Sequence, residues 1–501
     1  MTEDVKDKRS GKGRIPAFSF LGGLFDILRK DPALKEIYGV SAGGRASRRR
    51  GRAACYLVGG VLRNLLLKEE AGCDYDLCTD GDVRVFSEGL AKKSGGSFFL
   101  LDETSSTWRV VVKKAPLTTI DVSRIREGDI VRDLGKRDFT VNALAVDVRD
   151  IFEKQKPALL DPHSGIEDAK KRILRAVSGV SFKEDPLRIL RAVRLAQQYN
   201  LKIEKSTWAL LKEGKSLISE TAKERVRDEL ALVFSSPLSF RSMEKLFEAG
   251  VMQEVILELR GWQTMAGYDL LSHSVKTLEE AERMLLEAPL LRKELKEHFD
   301  KGLGGVKRKA VFKIASFFHD IGKPLTMQKE EGELRFIGHD VEGEEIVKRV
   351  LKRLRFSRKV TRAVSTLVRN HHRIFALASI ERPSRRSRAH FFNSVGGDLG
   401  LDLLLIGLSD ARATRGAEDR ALFSVVMDMV DFYFDVYSKA KPRPLMNGRE
   451  IMIAFGVPEG PAVGEIIKKI SEGVEEGILH DKKNAVRYIK DWLSRGKREP
   501  G

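Results

Sequence analysis

Asp74 and Asp76 stand one residue apart in the run DYDL, residues 74–77, which reads as a strand. Alternate residues of a strand share a face, so both carboxylates project together. Neighbouring carboxylates repel, and hard oxygen ligands of this kind suit Mg²⁺, with phosphate oxygens completing its shell. The plainer alternative is a pair of solvated acids on an edge strand. A second run, TTIDVSR (118–124), adds a third acid: Thr119, Asp121 and Ser123 share the face opposite Ile120 and Val122. Three converging acids would hold two metal ions about 3.5–4 Å apart, an arrangement that stabilises both the attacking and the leaving oxygen of a phosphoryl transfer.

Other polar groups flank these acids. In LVGGVLRNLLL (57–67), Gly59 and Gly60 join an apolar strand to a helical pattern. There the backbone either approaches a phosphate, with Arg63 adding charge, or makes an ordinary tight turn. In DLGKRDFTVNALA (133–145), Lys136 and Arg137 suit a triphosphate, Asp138 suits a helix cap, and Asn142 either meets a ribose or bonds within the fold. In FKEDPLRILRAVR (182–194), the three-residue spacing of Asp185, Arg188 and Arg191 sets them on one face of an expected helix. That face is either a surface ion-pair ladder or a ready set of donors and acceptors.

A further constellation lies downstream. FFHDIGKP (317–324) joins His319 to Asp320, and His273, His339, His371, His372 and Asp410 occur in apolar helical contexts around it. Any one such histidine reads as a satisfied core residue. Together, imidazoles and carboxylates suit Mn²⁺, Ni²⁺ or Fe²⁺ as well as Mg²⁺.

The elements that must position these groups fall into two textures. At 501 residues the chain exceeds one hydrophobic core and requires several domains. From Ala53 to about residue 150, short β-type runs alternate with turns, the signature of a mixed α/β domain. After Asp161-Pro162 the apolar spacing turns to i, i+3, i+4, and the remainder reads as helix, with loops at Gly302–Gly305 and around Pro383 and a boundary at Lys439–Pro444. The chain is thus α+β, with a leader (1–52) that reads as an appendage: basic, with a short helix around Phe20–Ile37 and a linker.

A net charge of +18 points to a polyanionic partner, although the basic runs Lys6–Arg14, Arg45–Arg52 and Arg382–Arg388 would each also serve as solvated surface or tail. Cys55, Cys73 and Cys78 are odd in number and lack metal-knuckle spacing, which argues against a disulfide framework. The start lacks a signal-peptide core and no apolar run approaches the ~20 residues of a membrane span. A cytoplasmic protein with no membrane partner is expected.

In their order along the chain, LVGGVLRN, DYDL, KRDFTVNALA, DPHSGIEDAKKRILRAV and FKEDPLRILRAVR resemble five motifs of the class II tRNA nucleotidyltransferases and bacterial poly(A) polymerases, members of the polymerase β superfamily. The resemblance implies a polymerase-β-type nucleotidyltransferase palm (53–176) followed by an all-α neck (177–260), an HD domain (261–420) and a C-terminal helical module (421–501). It implies transfer from CTP or ATP to the 3′ hydroxyl of tRNA or another RNA, with Asp74, Asp76 and Asp121 catalytic. It further implies nucleotide binding by Gly59, Gly60, Arg63, Arg137, Asp138, Asn142 and Arg191, with Asp185 and Arg188 acting as a protein template for the incoming base.

Two departures stand out: Asn64 replaces the Asp usual after the motif arginine, and Arg124–Asp133 is short where many family members carry the longer loop associated with adding A. The short segment leaves C addition, A addition or both open. The downstream constellation resembles the HD phosphohydrolase superfamily, in which His273, His319, Asp320 and Asp410 would be the metal set. A poly(A) polymerase ranks second, because residues 81–112 lack the extra basic signature of those enzymes. An HD phosphohydrolase with a dead transferase domain and a non-catalytic RNA-binding protein are the readings of other classes. Intact Asp74 and Asp76 speak against the former, and only turnover separates the latter.

Overall fold

Strand alternation builds the sheet that carries the first three acids. The computed structural model describes residues 19–43, 53–103, 106–113, 117–262, 267–380, 383–417, 419–439, 445–475 and 478–496. The basic runs at Lys6–Arg14 and Arg45–Arg52 lie outside the described residues. The chain divides into two units, Met1–Thr221 with Lys245–Val255, and Ala222–Glu244 with Ile256–Gly501.

In the first unit, β1 (Cys55–Val58), β2 (Asp74–Thr79), β3 (Ser97–Asp102), β4 (Thr107–Val112), β5 (Thr118–Arg124), β6 (Ala145–Asp147) and β7 (Leu159–Leu160) form one sheet in the order β3-β4-β5-β2-β1-β6-β7. β2 and β5 run parallel, and every other neighbouring pair is antiparallel. Tyr75, Leu77, Val110, Ile120 and Val122 bury one face of the central strands. The alternate residues Asp74, Asp76 and Asp121 therefore lie on the other.

The segment before the sheet is part of this unit, not an appendage to it. Helices α1 (Ser19–Lys30) and α2 (Pro32–Gly43) bury Leu28, Leu34 and Ile37 completely, at about 1.5–3 kcal/mol for each side chain removed from water. Arg29 donates to the carbonyl oxygens of Ile151 at 2.8 Å and Lys154 at 2.7 Å. The Tyr75 hydroxyl, on the buried face of β2 between the two metal-type acids, donates to Asp31 at 2.6 Å.

Strands do not stop at Asp161. Ile173–Leu174 pairs in parallel with Lys202–Ile203, and in the second unit a hairpin of Gly302–Leu303 and Val306–Lys307 occupies the expected loop. Gly304 and Gly305 turn it with positive φ, which costs glycine nothing. Gln328–Glu330 pairs with Glu333–Arg335.

The second unit is otherwise helical, and its core helices are stitched by buried charge pairs. Lys313, on Arg308–Phe318, donates to Glu282 on Leu270–Leu291 at 2.8 Å. Arg308 donates to Asp402 on Leu399–Arg415 at 2.5 Å, and Arg412 of that helix meets Glu287 at 3.0 Å. The helices Gly448–Phe455, Pro461–Glu475 and Lys482–Gly496 surround a separate small core that includes Ile451, Ile466 and Ile489. Among the described residues no single helix is long and apolar enough to cross a membrane.

Candidate functional site

Register fixes the first site. In the parallel β2–β5 pair Asp76 is opposite Asp121 and Asp74 is opposite Thr119, whose hydroxyl donates to Asp74. All three sequence-nominated acids thus meet on the open face of the sheet. Asp76 is exposed on that face, yet the protein crowded around it limits its hydration. Its pKa is raised by that desolvation first and by Asp121, with Arg137 and the Gly60 N–H opposing. A carboxylate disfavoured as an anion by its neighbours is one that a cation would relieve.

Asp121 has a partner that sequence reasoning missed. Arg109, its cross-strand neighbour on β4, binds it through Nε and Nη2, both at 2.7 Å. The bidentate, charge-assisted pair fixes the plane of the carboxylate. The signal was present as a lone cation at an alternate position of the apolar strand TWRVVV.

Gly59 ends β1 with φ of 73°, and a Cβ there would stand 3.1 Å from the Asp76 carboxylate and 3.3 Å from Arg137 Nη1. Glycine is thus required both by the backbone and by the approach of the acid. Gly60 opens helix α3 (Gly60–Leu66), and Arg137, half-buried beside Cys78 and Asp133, faces the acids from across the strand end. Burial works against its charge, but Cys78, Asp133 and Asp76 outweigh that and raise its pKa.

Four nominated residues form one hydrogen-bonded chain. Arg63 is buried, donating to Asn142 Oδ1 at 2.8 Å and to the Tyr199 hydroxyl at 2.7 Å. Asn142 donates to Asp138 Oδ1 at 2.9 Å, and Arg191 Nε meets Asp138 Oδ2 at 3.1 Å. Asp138 does not cap a regular helix; only a 3₁₀ turn, Thr140–Asn142, follows, and its first flanking residue is Phe139. Tyr199, which no motif flagged, closes the chain.

Asp185 departs from the expected helical ladder. It lies in extended conformation between the short helix Ser181–Glu184 and the helix Arg188–Gln198, because Pro186 disfavours the helical region for the residue before it. Arg188 and Arg191 do share the second helix. Arg188 is held by the Lys136 carbonyl at 2.7 Å and the Ser181 hydroxyl at 2.9 Å. The Arg124–Asp133 segment is compactly folded: a 3₁₀ turn at Arg126–Gly128 runs into the helix Ile130–Gly135, which Asp129 caps, and Asp133 is buried against Arg137.

The second site draws on five separate places in the chain. Nε2 of His273 and of His319 lie 3.2 Å apart and 3.3 and 3.2 Å from Asp320 Oδ2, and Asp410 Oδ1 is 3.3 Å from His273. The four-residue set expected from sequence is therefore assembled. It is also incomplete. Asp320 Oδ1 faces His339 at 3.3 Å and His371 at 3.6 Å, and His372 lies 2.9 Å from His339. Two triads, His273–His319–Asp410 and His339–His371–His372, each bring one ligand atom per residue close enough to share an ion, with Asp320 between them.

The chemistry of these donors fits cations. Nδ1 of His319, His339 and His371 bonds the carbonyl oxygens of Ser316, Phe336 and Val368 at 2.8, 2.6 and 2.7 Å. A carbonyl can only accept, so each ring carries a proton on Nδ1 and turns Nε2 inward, where a bound cation would displace any proton held there. Donor separations near 3.3 Å are what ligands at about 2.0–2.2 Å from one ion would show. Burial opposes charge on His319, yet Asp320 and Asp410 prevail and its pKa is pushed up to about 10. His372 is pushed down to about 3 by burial, then by His371 and His339. Lys323 Nζ sits 2.5 Å from Asp320 and 3.0 Å from the Tyr268 hydroxyl, a cation that the i+3 spacing in HDIGK could have flagged.

Residues 55–175 match the Poly A polymerase head domain, 200–263 the probable RNA- and SrmB-binding site of polymerase A, and 270–411 the HD domain. The chain is 30% identical over 454 residues to an A-adding tRNA nucleotidyltransferase of Deinococcus radiodurans, covering 87% of this chain and 95% of that protein. It is 31% identical over 458 residues to a CC-adding tRNA nucleotidyltransferase of Thermus thermophilus, covering 88% and 94%. The fold is similar to that of a CCA-adding enzyme solved with CTP, at TM-score 0.57 and 19% identity over 94% of this chain and 98% of that one.

Proposed function

Because the chain belongs to the tRNA nucleotidyltransferase family, we propose that it extends the 3′ end of tRNA with cytidylates from CTP and leaves the terminal adenylate to another enzyme. The carrying observation is the Arg124–Asp133 segment: ten residues are taken up by a 3₁₀ turn and a capped helix, with Asp133 buried, where the loop associated with A addition would have to sit.

Asp74, Asp76 and Asp121 are the proposed ligands of Mg²⁺ ions, which when bound would lower the pKa of the RNA 3′ hydroxyl and neutralise departing pyrophosphate. The chain's own part is placement. Register sets Asp76 beside Asp121, Arg109 holds the plane of Asp121, and Gly59 lets the backbone pass the acids. Arg137 supplies positive charge for the triphosphate beside Asp76. The chain from Arg63 through Asn142 and Asp138 to Arg191 braces the glycine turn against the helix bearing Arg188, which with Asp185 reads the Watson–Crick edge of the base.

The HD cluster supports a second activity, hydrolysis of phosphate esters: the two triads, with Asp320 between them, would hold divalent ions, Mn²⁺, Ni²⁺, Fe²⁺ or Mg²⁺, which when bound would activate water. Lys323 is placed to meet a phosphate oxygen. Residence in the cytoplasm fits both activities.

Single-nucleotide extension tests the main reading. With tRNA lacking CCA, CTP alone should give a product ending in CC, and ATP should add nothing to tRNA already ending in CC. Addition of A to that tRNA, or long A tails on unrelated RNAs, would overturn it.

A further inference from the structure

One row of cross-strand partners crosses the open face of the first sheet: Phe99 on β3, Arg109 on β4, Asp121 on β5 and Asp76 on β2. Directly opposed residues share a face, so Phe99 belongs to the face of the acids and not to the core. Phe98 turns to the other face, where its ring lies 5.5 Å from that of Trp108; Phe99 is 47% exposed on the face of the acids. β3 is also the edge of the sheet, so among the described residues no strand stands beyond it.

Scattered exposed apolar residues are normal on any surface, and exposure alone would say nothing. Position is what distinguishes this ring. Strands lie about 4.8 Å apart, which sets Phe99 roughly 10 Å from Asp121 and 14 Å from Asp76 along a single row. Between the ring and the acids stands Arg109, a planar cation already oriented by Asp121. An aromatic face, then a guanidinium, then carboxylates suited to metal ions match in order an unstacked base, its phosphate linkage and the reacting 3′ hydroxyl. Single-stranded RNA ends are bound in this manner, with bases on aromatic side chains regardless of sequence.

We propose that Phe99 is a stacking shelf for the unpaired terminal bases of the RNA acceptor, holding its 3′ end over Asp121. The inference rests on the nucleotidyl-transfer reading above.

The test is steady-state extension of tRNA lacking CCA, with acceptor and CTP varied separately, in wild-type, Phe99→Ala, Phe99→Leu and Phe99→Trp proteins. Stacking of ~1–3 kcal/mol per base corresponds to about 5- to 150-fold in affinity. Phe99→Ala and Phe99→Leu should raise KM for the acceptor within that range, with KM for CTP and the melting temperature unchanged, and Phe99→Trp should restore it. Should Phe99→Ala lower the melting temperature, Phe99→Leu, which keeps the apolar bulk without the aromatic face, decides. A wild-type acceptor KM in Phe99→Leu, or an equal rise in KM for CTP, overturns the shelf. Failure of the wild-type protein to incorporate any nucleotide would instead overturn the function on which it rests.

Discussion

The two carboxylate centres are built in opposite ways. In the first, three acids stand on one open sheet face, and their spacing follows from strand register alone: Asp76 faces Asp121 because β2 and β5 pair in parallel at that step. In the second, seven side chains from five stretches of sequence converge, with His319, Asp320, His339 and His371 buried and His372 exposed at the margin, and nothing local relates His273 to Asp410. The first centre takes its geometry from backbone hydrogen bonds. The second depends on helix packing and on the ion pairs that hold those helices together.

The largest effect expected from breaking this contrast is at Asp121. Asp121→Asn should lower kcat for CTP incorporation by roughly 10²–10³-fold, as removal of one preorganised electrostatic group does. Melting should hardly change, since the group lies on an open face, and calorimetry beside a rapid-quench assay checks both. In the helical unit the balance reverses. Glu282→Gln leaves Lys313 buried without its charge partner, which should destabilise that unit by about 3–5 kcal/mol and weaken metal retention, read by thermal unfolding and elemental analysis.

Asp320→Asn sharpens the comparison further, because that carboxylate faces both histidine triads. Metal binding at both triads should weaken together, by at least about 10–100-fold, whereas His372→Ala should affect its own triad only; metal titration distinguishes the two patterns. A smaller effect is expected at Gly59. Gly59→Ala should cost about 1–3 kcal/mol through its positive φ, and the methyl pressed against Asp76 should raise the Mg²⁺ concentration needed for half-maximal incorporation.

Legibility in the sequence follows the same division. The D-x-D pair and Asp121 were readable because a period of two is enough to assign a face. The positions of His319 and Asp320 were readable as a rare pair, and the expected set of four was found assembled. The share of His339, His371 and His372 was not, because which imidazoles turn toward Asp320 is decided by the packing of helices His339–Arg353 and Arg358–Asn370. For Arg63 and Asn142 the sequence left substrate contact and a bond within the fold both open; they bond one another, a partnership between residues 79 positions apart that spacing does not reveal. Pro186 was legible and should have moved Asp185 off the helix. The α1–α2 pair read as an appendage because its apolar stripe gives no sign of what it covers.

The most direct test of the account is a crossed assay on one set of preparations, measuring CTP incorporation into tRNA lacking CCA and hydrolysis of a simple phosphate ester. Asp76→Asn should abolish incorporation and spare hydrolysis, and His319→Ala should do the reverse. Loss of both activities in both variants, or incorporation that survives in Asp76→Asn, would contradict the assignment of nucleotidyl transfer to the three acids of the sheet.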